Sequence, residues 1–387
     1  MIVGGGVLGA ATACFLARDH GAAVTVLERD PSYRQASSAL SASSIRQQFS
    51  TPINIALSLA SIAFLRRVGD ELTVDGEHPA IGLVEAGYLY LATDAGAARL
   101  RADQSLQRAH GADIEWLTPA ALRARWPWLS TDGLAAGTHG TRGEGWFDGP
   151  ALHAAFQRKA RACGARFVHA EAQSFETQGE RVTAVRDAAG LRHAADAVVI
   201  AAGAWSAPLA ATLGLALPVS AKKRDVFVLD SPARLPGCPL IIDPSGVWLR
   251  PEGAGFIAGA PPRRIGDLDD PDDVPLDAID HGLFDEVIWP VLAARIPAFE
   301  ALRVRSAWAG YYEMNAFDHN GVVGPLPAWR NAFINCGFSG HGMQQAPALG
   351  RELAARIVSG HWLDLDLGPL GPERLQTGHP LIEHNVI

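Results

Sequence analysis

Three glycines near the start of the chain are the first residues whose spacing carries chemistry. Met1-Ile2-Val3 runs into Gly4-Gly5-Gly6-Val7-Leu8-Gly9, a GxGxxG pattern with Gly4, Gly6 and Gly9 in its three slots. A segment with Ala11, Phe15 and Leu16 apolar follows and reads as a helix that Gly21 stops. Val24-Thr25-Val26-Leu27 then reads as a strand closed by Glu28, 19 residues after Gly9. Strand, glycine turn, helix, strand and acid is the order that binds a dinucleotide. Gly4 allows the tight turn, Gly6 lets the backbone reach a pyrophosphate, and Gly9 lets helix and strand pack closely. The helix N-terminus offers N–H groups and a positive dipole end to the phosphates. Glu28 can accept hydrogen bonds from the ribose hydroxyls. Only three residues precede the glycines, so the first strand is short, and whether upstream residues complete it is left open. The motif alone does not choose between NAD and FAD.

A second glycine turn lies near the other end. Residues 332–336 read as a strand, Gly337-Phe338-Ser339-Gly340-His341-Gly342 as a turn, and a helix then runs to about Val358. Pro347 is expected in the first turn of that helix and Gly360 past its end. Between the two turns, Arg46 follows a Ser-rich stretch. Its guanidinium is a planar fork suited to a carboxylate, or to a structural acid.

These residues need a scaffold. Residues 52–68 read as an apolar helix, Gly87-Tyr88-Leu89-Tyr90-Leu91-Ala92 as a strand, and 95–111, 119–125 and 150–162 as helices, the last ended by Gly164. Residues 165–187 read as a strand, a turn at Gln178-Gly179 and another strand. Val198-Val199-Ile200 is predicted to return to the nucleotide-binding sheet. Short strands at 226–229, 247–250 and 256–258, separated by Gly and Pro turns, predict an antiparallel sheet and a second domain. Trp248 and Arg250 share a strand face that looks to a pocket or to solvent. Six Asp between 261 and 277 read as a solvated loop rather than a metal site, since the EF-hand glycine and terminal Glu are absent.

Composition narrows the function. A net charge of −8 argues against nucleic acid as a partner. The cysteines Cys14, Cys163, Cys238 and Cys336 form no CxxC pair, so neither zinc nor a disulfide framework is expected, and a reducing, cytoplasmic setting fits. No secretory signal is read at the N-terminus. The uncharged run from Ala197 to Val219 contains Gly203, Pro208, Gly214 and Pro218 and reads as a buried strand, turn and short helix rather than a membrane span.

At these motifs the chain resembles the D-amino-acid oxidase-like flavoprotein superfamily, in the branch with sarcosine oxidase and glycine oxidase. The carriers are GxGxxG with Glu28, the Gly87 strand, Ala201-Ala-Gly-Ala-Trp-Ser, Trp308-Ala-Gly-Tyr-Tyr-Glu and Gly337-Phe-Ser-Gly-His-Gly. Ser44-Ile-Arg-Gln-Gln-Phe-Ser, the run from Gly310-Tyr-Tyr to Val323-Gly-Pro, and Gly342-Met-Gln-Gln-Ala-Pro look like the FAD-dependent oxidoreductase domain-containing proteins. The mitochondrial member of that group assists assembly of respiratory complex I.

The resemblance implies an α/β Rossmann-like FAD-binding domain interleaved with a substrate domain on a mixed, largely antiparallel sheet. Residues 1–85, 145–220 and 305–387 would form the first, 86–144 and 221–304 the second. It implies non-covalent FAD. Gly4, Gly6, Val7, Leu8, Gly9, Glu28 and Arg29 would hold its nucleotide. Ser37, Ser43, Ser44, Ile45, Ala172, Ala202, Gly203 and Trp205 would line its course. Gly340, His341, Gly342, Met343 and Gln344 would aim N–H groups at the flavin, with His341 as a proton carrier in a sharper version. Arg46 matches the sarcosine oxidase arginine that holds the substrate carboxylate, Gln344 falls where that enzyme has a lysine, and Tyr311, Tyr312 and Glu313 fall where its amine pocket is shaped. Glu313 could pair with a cationic amine. Tyr311 also stands where some relatives tether flavin through a cysteine.

The implied activity is oxidation of the α C–N bond of an amino acid, most of all an N-substituted one, by hydride transfer to flavin N5, with hydrolysis of the imine. A 2-hydroxy acid or polyol phosphate substrate, or an assembly role with little catalysis, are the alternatives. Oxygen, a quinone or an electron-carrier protein would be the acceptor. Ile257 replaces the lysine that serves oxygen in sarcosine oxidase, which favours a dehydrogenase.

Overall fold

The computed structural model describes residues 1–262 and 275–386. Of the six Asp read as a solvated loop, Asp267, Asp269, Asp270, Asp272 and Asp273 lie outside the described residues.

Ile2–Val3 is short, but it sits in the middle of a six-stranded sheet. It pairs in parallel with Val26 and Leu27 on one side and with Val199 and Ile200 on the other. The order is Val322–Pro325, Ala332–Cys336, Val198–Ile200, Ile2–Val3, Thr25–Glu28, Arg166–His169. All neighbours are parallel except the Val322–Pro325 edge. These strands are short continuous runs of Val, Ile and Leu because helices cover the sheet. Helices Val7–His20, Gly149–Ala162, Pro52–Leu65 and Gly342–Ser359 pack into one core on that side. Where the first and last of these cross, a Cβ on Gly350 would stand 2.8 Å from the Ala11 backbone carbon. Small residues therefore set the close approach.

Residues 165–187 carry one more break than expected. Arg166–His169 joins the six-stranded sheet, while Ala172–Gln178, Arg181–Asp187 and Arg192–Ala194 form a separate antiparallel sheet. The strand pattern was legible, but a change of sheet at residues 170–171 leaves no periodicity to read.

The second large sheet has eight strands, in the order Arg303–Asn315, Val219–Asp230, Gly255–Gly259, Trp248–Glu252, Leu240–Ile242, Tyr88–Ala92, Ala136–Gly140, Ile114–Leu117. All pairs are antiparallel except Leu240–Ile242 with Tyr88–Ala92. Alternation sorts its faces. Leu89, Leu91, Phe227, Leu229, Ile241, Leu249, Phe256 and Ala258 look one way into a core closed by the 281–302 segment. Register places Tyr88, Tyr90, Ile242, Trp248, Arg250 and Ile257 on the other face. The long strand Arg303–Asn315 pairs with Val219–Asp230 along its length and carries that edge toward the first sheet.

The Gly342–Ser359 helix starts at Gly342, so Pro347 lies inside it, past the first turn where it was expected. Its ring removes a donor from the Met343 carbonyl. Gly360 caps the helix in the left-handed conformation. No helix among the described residues is long and apolar enough to cross a membrane.

Candidate functional site

A cavity of about 640 Å³ lies between the two large sheets. Its far wall is the GxGxxG turn. Gly4 has φ +100, and a Cβ on Gly9 would come within 2.0 Å of the Gly4 carbonyl oxygen. Gly9 therefore serves the contact of helix with strand, and it does not line the cavity. Gly6, Val7 and Leu8 do. Helix Val7–His20 opens there with no side-chain cap and no acid in its first turn. The Val7 N–H donates to Ser38 Oγ at 2.8 Å. Glu28 lines the same end, its two oxygens accepting from Gly5 N at 2.7 Å and Asp30 N at 2.8 Å. Each oxygen keeps a lone pair for a ribose hydroxyl. Arg29 stacks on Trp205 with its guanidinium carbon 3.8 Å from the ring centroid.

The near end is the second glycine turn. Gly340 has φ +94, and a Cβ there would meet the Tyr312 ring at 2.4 Å, so only glycine fits. Helix Gly342–Ser359 also begins without a side-chain cap or first-turn acid, and Gly342, Met343 and Gln344 line the cavity. Two helix N-termini, of which Val7 N–H alone is held by Ser38, thus line one cavity, which suits a ligand with a pyrophosphate at one end and an electron-accepting ring at the other. The 37–44 loop lies along the cavity. Ser37 Oγ donates to the Tyr311 carbonyl at 2.5 Å, and Trp308 Nε1 donates to the Leu40 carbonyl at 2.9 Å. Ser37, Ser43, Ser44, Ala172, Ala202, Gly203 and Trp205 are all in its wall. These residues fit a dinucleotide in extended form.

Ile45, Arg46 and His341 are not in that wall. Ile45 is core. The Arg46 backbone N–H donates to Gln344 Oε1 at 2.9 Å, which orients that amide. Its guanidinium turns away from the cavity, lies 4.4 Å over Phe49, and donates to the Asn385 carbonyl of the C-terminal segment. Glu383 of that segment is wholly buried and accepts from Ser50, Thr51, Asn54 and Asn385. Burial raises its pKa, but these hydrogen bonds outweigh it and hold the carboxylate below its usual range. The neighbour that claims Arg46 is more than 330 residues away in the chain, which no local pattern signals. His341 packs its ring on Phe49 and Phe338, and neither ring nitrogen has a partner among the described residues. Burial disfavours the charged ring and pushes its pKa well below the usual imidazole range, which weighs against the proton-carrier role.

Tyr312, Glu313 and Gln344 do meet at the near end, with Trp248 opposite. Trp248 settles its strand's open face toward the cavity. Arg250, on the same face, is buried with Nη2 on the Ala42 carbonyl at 2.7 Å. Glu313 is 8% exposed, and its Oε2 has no partner among the described residues. Burial pushes its pKa up to about 7. A second buried acid, Glu144, accepts from Gln47 N at 2.6 Å and Gln48 Nε2 at 2.8 Å, and burial raises it also to about 7.

Arg224 lines the cavity too, its guanidinium 5.2 Å over the Tyr312 ring. It was overlooked, because a Lys222-Lys223-Arg224 run in a strand reads as an exposed edge. No cluster of metal-ligand side chains occurs among the described residues.

Comparisons with known proteins identify the family and the fold. Residues 1–356 match the family described as DAO, FAD dependent oxidoreductase. FAD-dependent oxidoreductase domain-containing protein 1 of Xenopus laevis is 40% identical over 425 aligned positions, covering 100% of this chain and 84% of that protein. The crystal structure of L-proline dehydrogenase from P. horikoshii superposes with a TM-score of 0.85 at 25% identity, covering 98% of each chain. That of glycine oxidase from Geobacillus kaustophilus gives 0.81 at 28%, covering 96% of each.

Proposed function

The chain belongs to the DAO family of FAD-dependent oxidoreductases, and on that footing we propose that it oxidises the α C–N bond of a carboxylated amino acid, a secondary amine above all. The observation that carries this is the single cavity joining the GxGxxG cradle to Tyr312, Glu313 and Gln344. Relatives named for glycine and L-proline support an amino acid substrate. Proline and sarcosine are secondary amines, and a sarcosine oxidase subunit beta of Arthrobacter is 26% identical, covering 99% of this chain and 92% of that protein.

Bound flavin supplies the two-electron acceptor for a hydride leaving the substrate α-carbon. The chain's own residues do the rest. Gly6, the first turn of helix Val7–His20 and Glu28 hold the nucleotide. The Gly342 helix N-terminus favours negative charge at the flavin end. Gln344, whose oxygen is occupied by Arg46, presents its N–H₂ to a substrate carboxylate, with Arg224 as the cation of that wall. Glu313 faces the amine. Trp248 and Tyr312 exclude water.

The flavin is non-covalent, since Tyr311 stands where a tethering cysteine would be. A cytoplasmic location is proposed from the sequence alone, in which the four cysteines form no CxxC pair. The acceptor is a quinone or carrier flavoprotein. The test is anaerobic bleaching of the flavin by a panel of primary amino acids, N-alkyl amino acids and 2-hydroxy acids. Bleaching by N-alkyl amino acids is expected. Bleaching by hydroxy acids alone, or by none, refutes the assignment. Acid precipitation leaves the yellow colour in the supernatant.

A further inference from the structure

Glu313 has a geometry that pairing alone does not explain. It stands on the last turn of pairing of the long edge strand, with Ala221 opposite. Its carboxyl lies between two backbone turns of the cavity wall. A Cβ on Gly203 would be 3.6 Å from Oε2, and one on Gly342 would be 3.2 Å from Oε1. Oε1 accepts from Phe338 N at 3.3 Å. Oε2 is left without a partner although the side chain is more than nine-tenths buried. A buried acceptor without a partner is costly, and Glu313 is one of the residues that line the cavity.

Of the other acids in that wall, Glu28, Asp30 and Glu171 lie at the nucleotide end, where Glu28 already holds two backbone amides and Asp30 accepts from Ser32. Asp225 accepts from Asp280 N at 3.0 Å and lies 3.2 Å from Lys223 Nζ. The groups packed on Glu313 bring little charge of their own. The 202–206 turn and the first turn of the Gly342 helix contain no ionisable side chain. The Cys336 thiol is kept protonated by burial and by the nearby Glu313 charge. Burial disfavours charge on the His341 ring, which faces Phe49 and Phe338. On the paired strand, Lys222, Lys223 and Arg224 stand opposite Tyr312, Tyr311 and Gly310.

We propose that Glu313 is the base that takes the proton from the substrate's ammonium nitrogen before the hydride departs. The proposal rests on the amine-oxidation assignment above. A protonated amine has no lone pair with which to form C=N. The N–H bond breaks, its proton goes to Oε2, and the electron pair stays on nitrogen. The Cα–H bond then breaks with its pair leaving as hydride to the flavin, and the nitrogen pair closes the C=N bond. The substrate loses two electrons, the flavin gains them, and the proton on Glu313 passes to solvent. A carboxyl raised to about 7 by burial is matched to this task, because a base works best with a pKa near the operating pH.

The experiment is anaerobic stopped-flow reduction of the FAD-loaded enzyme by the amine that bleaches it best, from about pH 6 to about pH 10. Wild type is expected to gain rate with pH through an inflexion near neutrality. Glu313→Gln should lose about 100-fold at neutral pH and recover only as pH approaches the free amine's own pKa. Glu313→Asp should restore part of the loss with a shifted inflexion. An indicator dye in weak buffer should also report proton release on binding of an unreactive amine carboxylate to wild type but not to Glu313→Gln.

A Glu313→Gln profile that overlays wild type overturns the proposal while leaving amine oxidation intact. So does a variant that changes only the flavin spectrum, for the carboxyl then serves the cofactor. If no amine bleaches wild type, both fall. If Glu313→Gln does not retain FAD, Glu313→Asp carries the test, and an unshifted inflexion overturns it.

Discussion

Removing the Arg46 side chain should unfasten the C-terminal segment rather than the substrate. The guanidinium donates to the Asn385 carbonyl and lies over Phe49 and Tyr88, at 4.4 and 5.8 Å. A hydrogen bond from a charged donor contributes about 1.5–3 kcal/mol, and a desolvated cation on aromatic faces about 1–2 kcal/mol. Arg46→Met deletes both and strips a cation from the vicinity of buried Glu383. The loss should be about 3–5 kcal/mol, the range for breaking a buried ionic contact on one side. For a chain of this size that is a fall of roughly 4–6 °C in the melting temperature of the FAD-loaded protein. Calorimetry gives the first number. Hydrogen exchange should show protection lost across residues 378–386, with affinity for carboxylate ligands changed less than about threefold. An unchanged melting temperature and unchanged exchange, together with a large loss of carboxylate affinity, would refute this placement and return Arg46 to the substrate.

Three further outcomes can be checked. Gly9→Ala puts a methyl 2.0 Å from the Gly4 oxygen and should destabilise by about 1–3 kcal/mol or more, read as a reduced flavin-to-protein absorbance ratio; full FAD content contradicts the packing argument. Glu144 has its pKa raised from 4.5 to about 7 by burial, so its contribution is fully present below the unfolded value and is lost as pH rises through the folded one. Between those values wild type should lose about 3 kcal/mol relative to Glu144→Gln, and a pH-independent difference in denaturant midpoint would exclude it. Reduced enzyme should reoxidise slowly in air-saturated buffer. Ile257→Lys should raise that rate at least about tenfold by stabilising superoxide, and no change counts against the electrostatic account.

Local pattern carried much of this fold. The GxGxxG turn, the Glu28 strand and the Gly340 turn were legible because each function needs particular backbone geometry within a few residues. Strand alternation also ordered Trp248 and Arg250 on one face, though which face met the cavity depended on the core under Phe227 and Leu249. The same logic failed for Arg46, Ile45 and His341. All three lie within two residues of cavity residues, yet Arg46 is turned by Asn385, Ile45 belongs to the core, and His341 is held between two phenylalanines. Arg224 was hidden for the opposite reason, since a basic run in a strand normally means an exposed edge. Pro347 shows a limit of rules for helix ends: an interior proline is tolerated where the carbonyl it abandons lies in the first turn.

The order of strands in the nucleotide-binding sheet has a consequence during synthesis. Ile2–Val3 needs Val198–Ile200 beside it, and that strand needs Ala332–Cys336. At translation rates of 5–20 residues per second, the third strand emerges on the order of ten seconds after the second. Until then the cradle has an open edge, and the helix that begins at Gly342 does not yet exist. FAD therefore cannot be bound cotranslationally by the N-terminal motif alone. It meets a chain already synthesised through the helix that begins at Gly342, and a nascent chain held with a hydrophobic parallel edge for that interval is a natural client for chaperones.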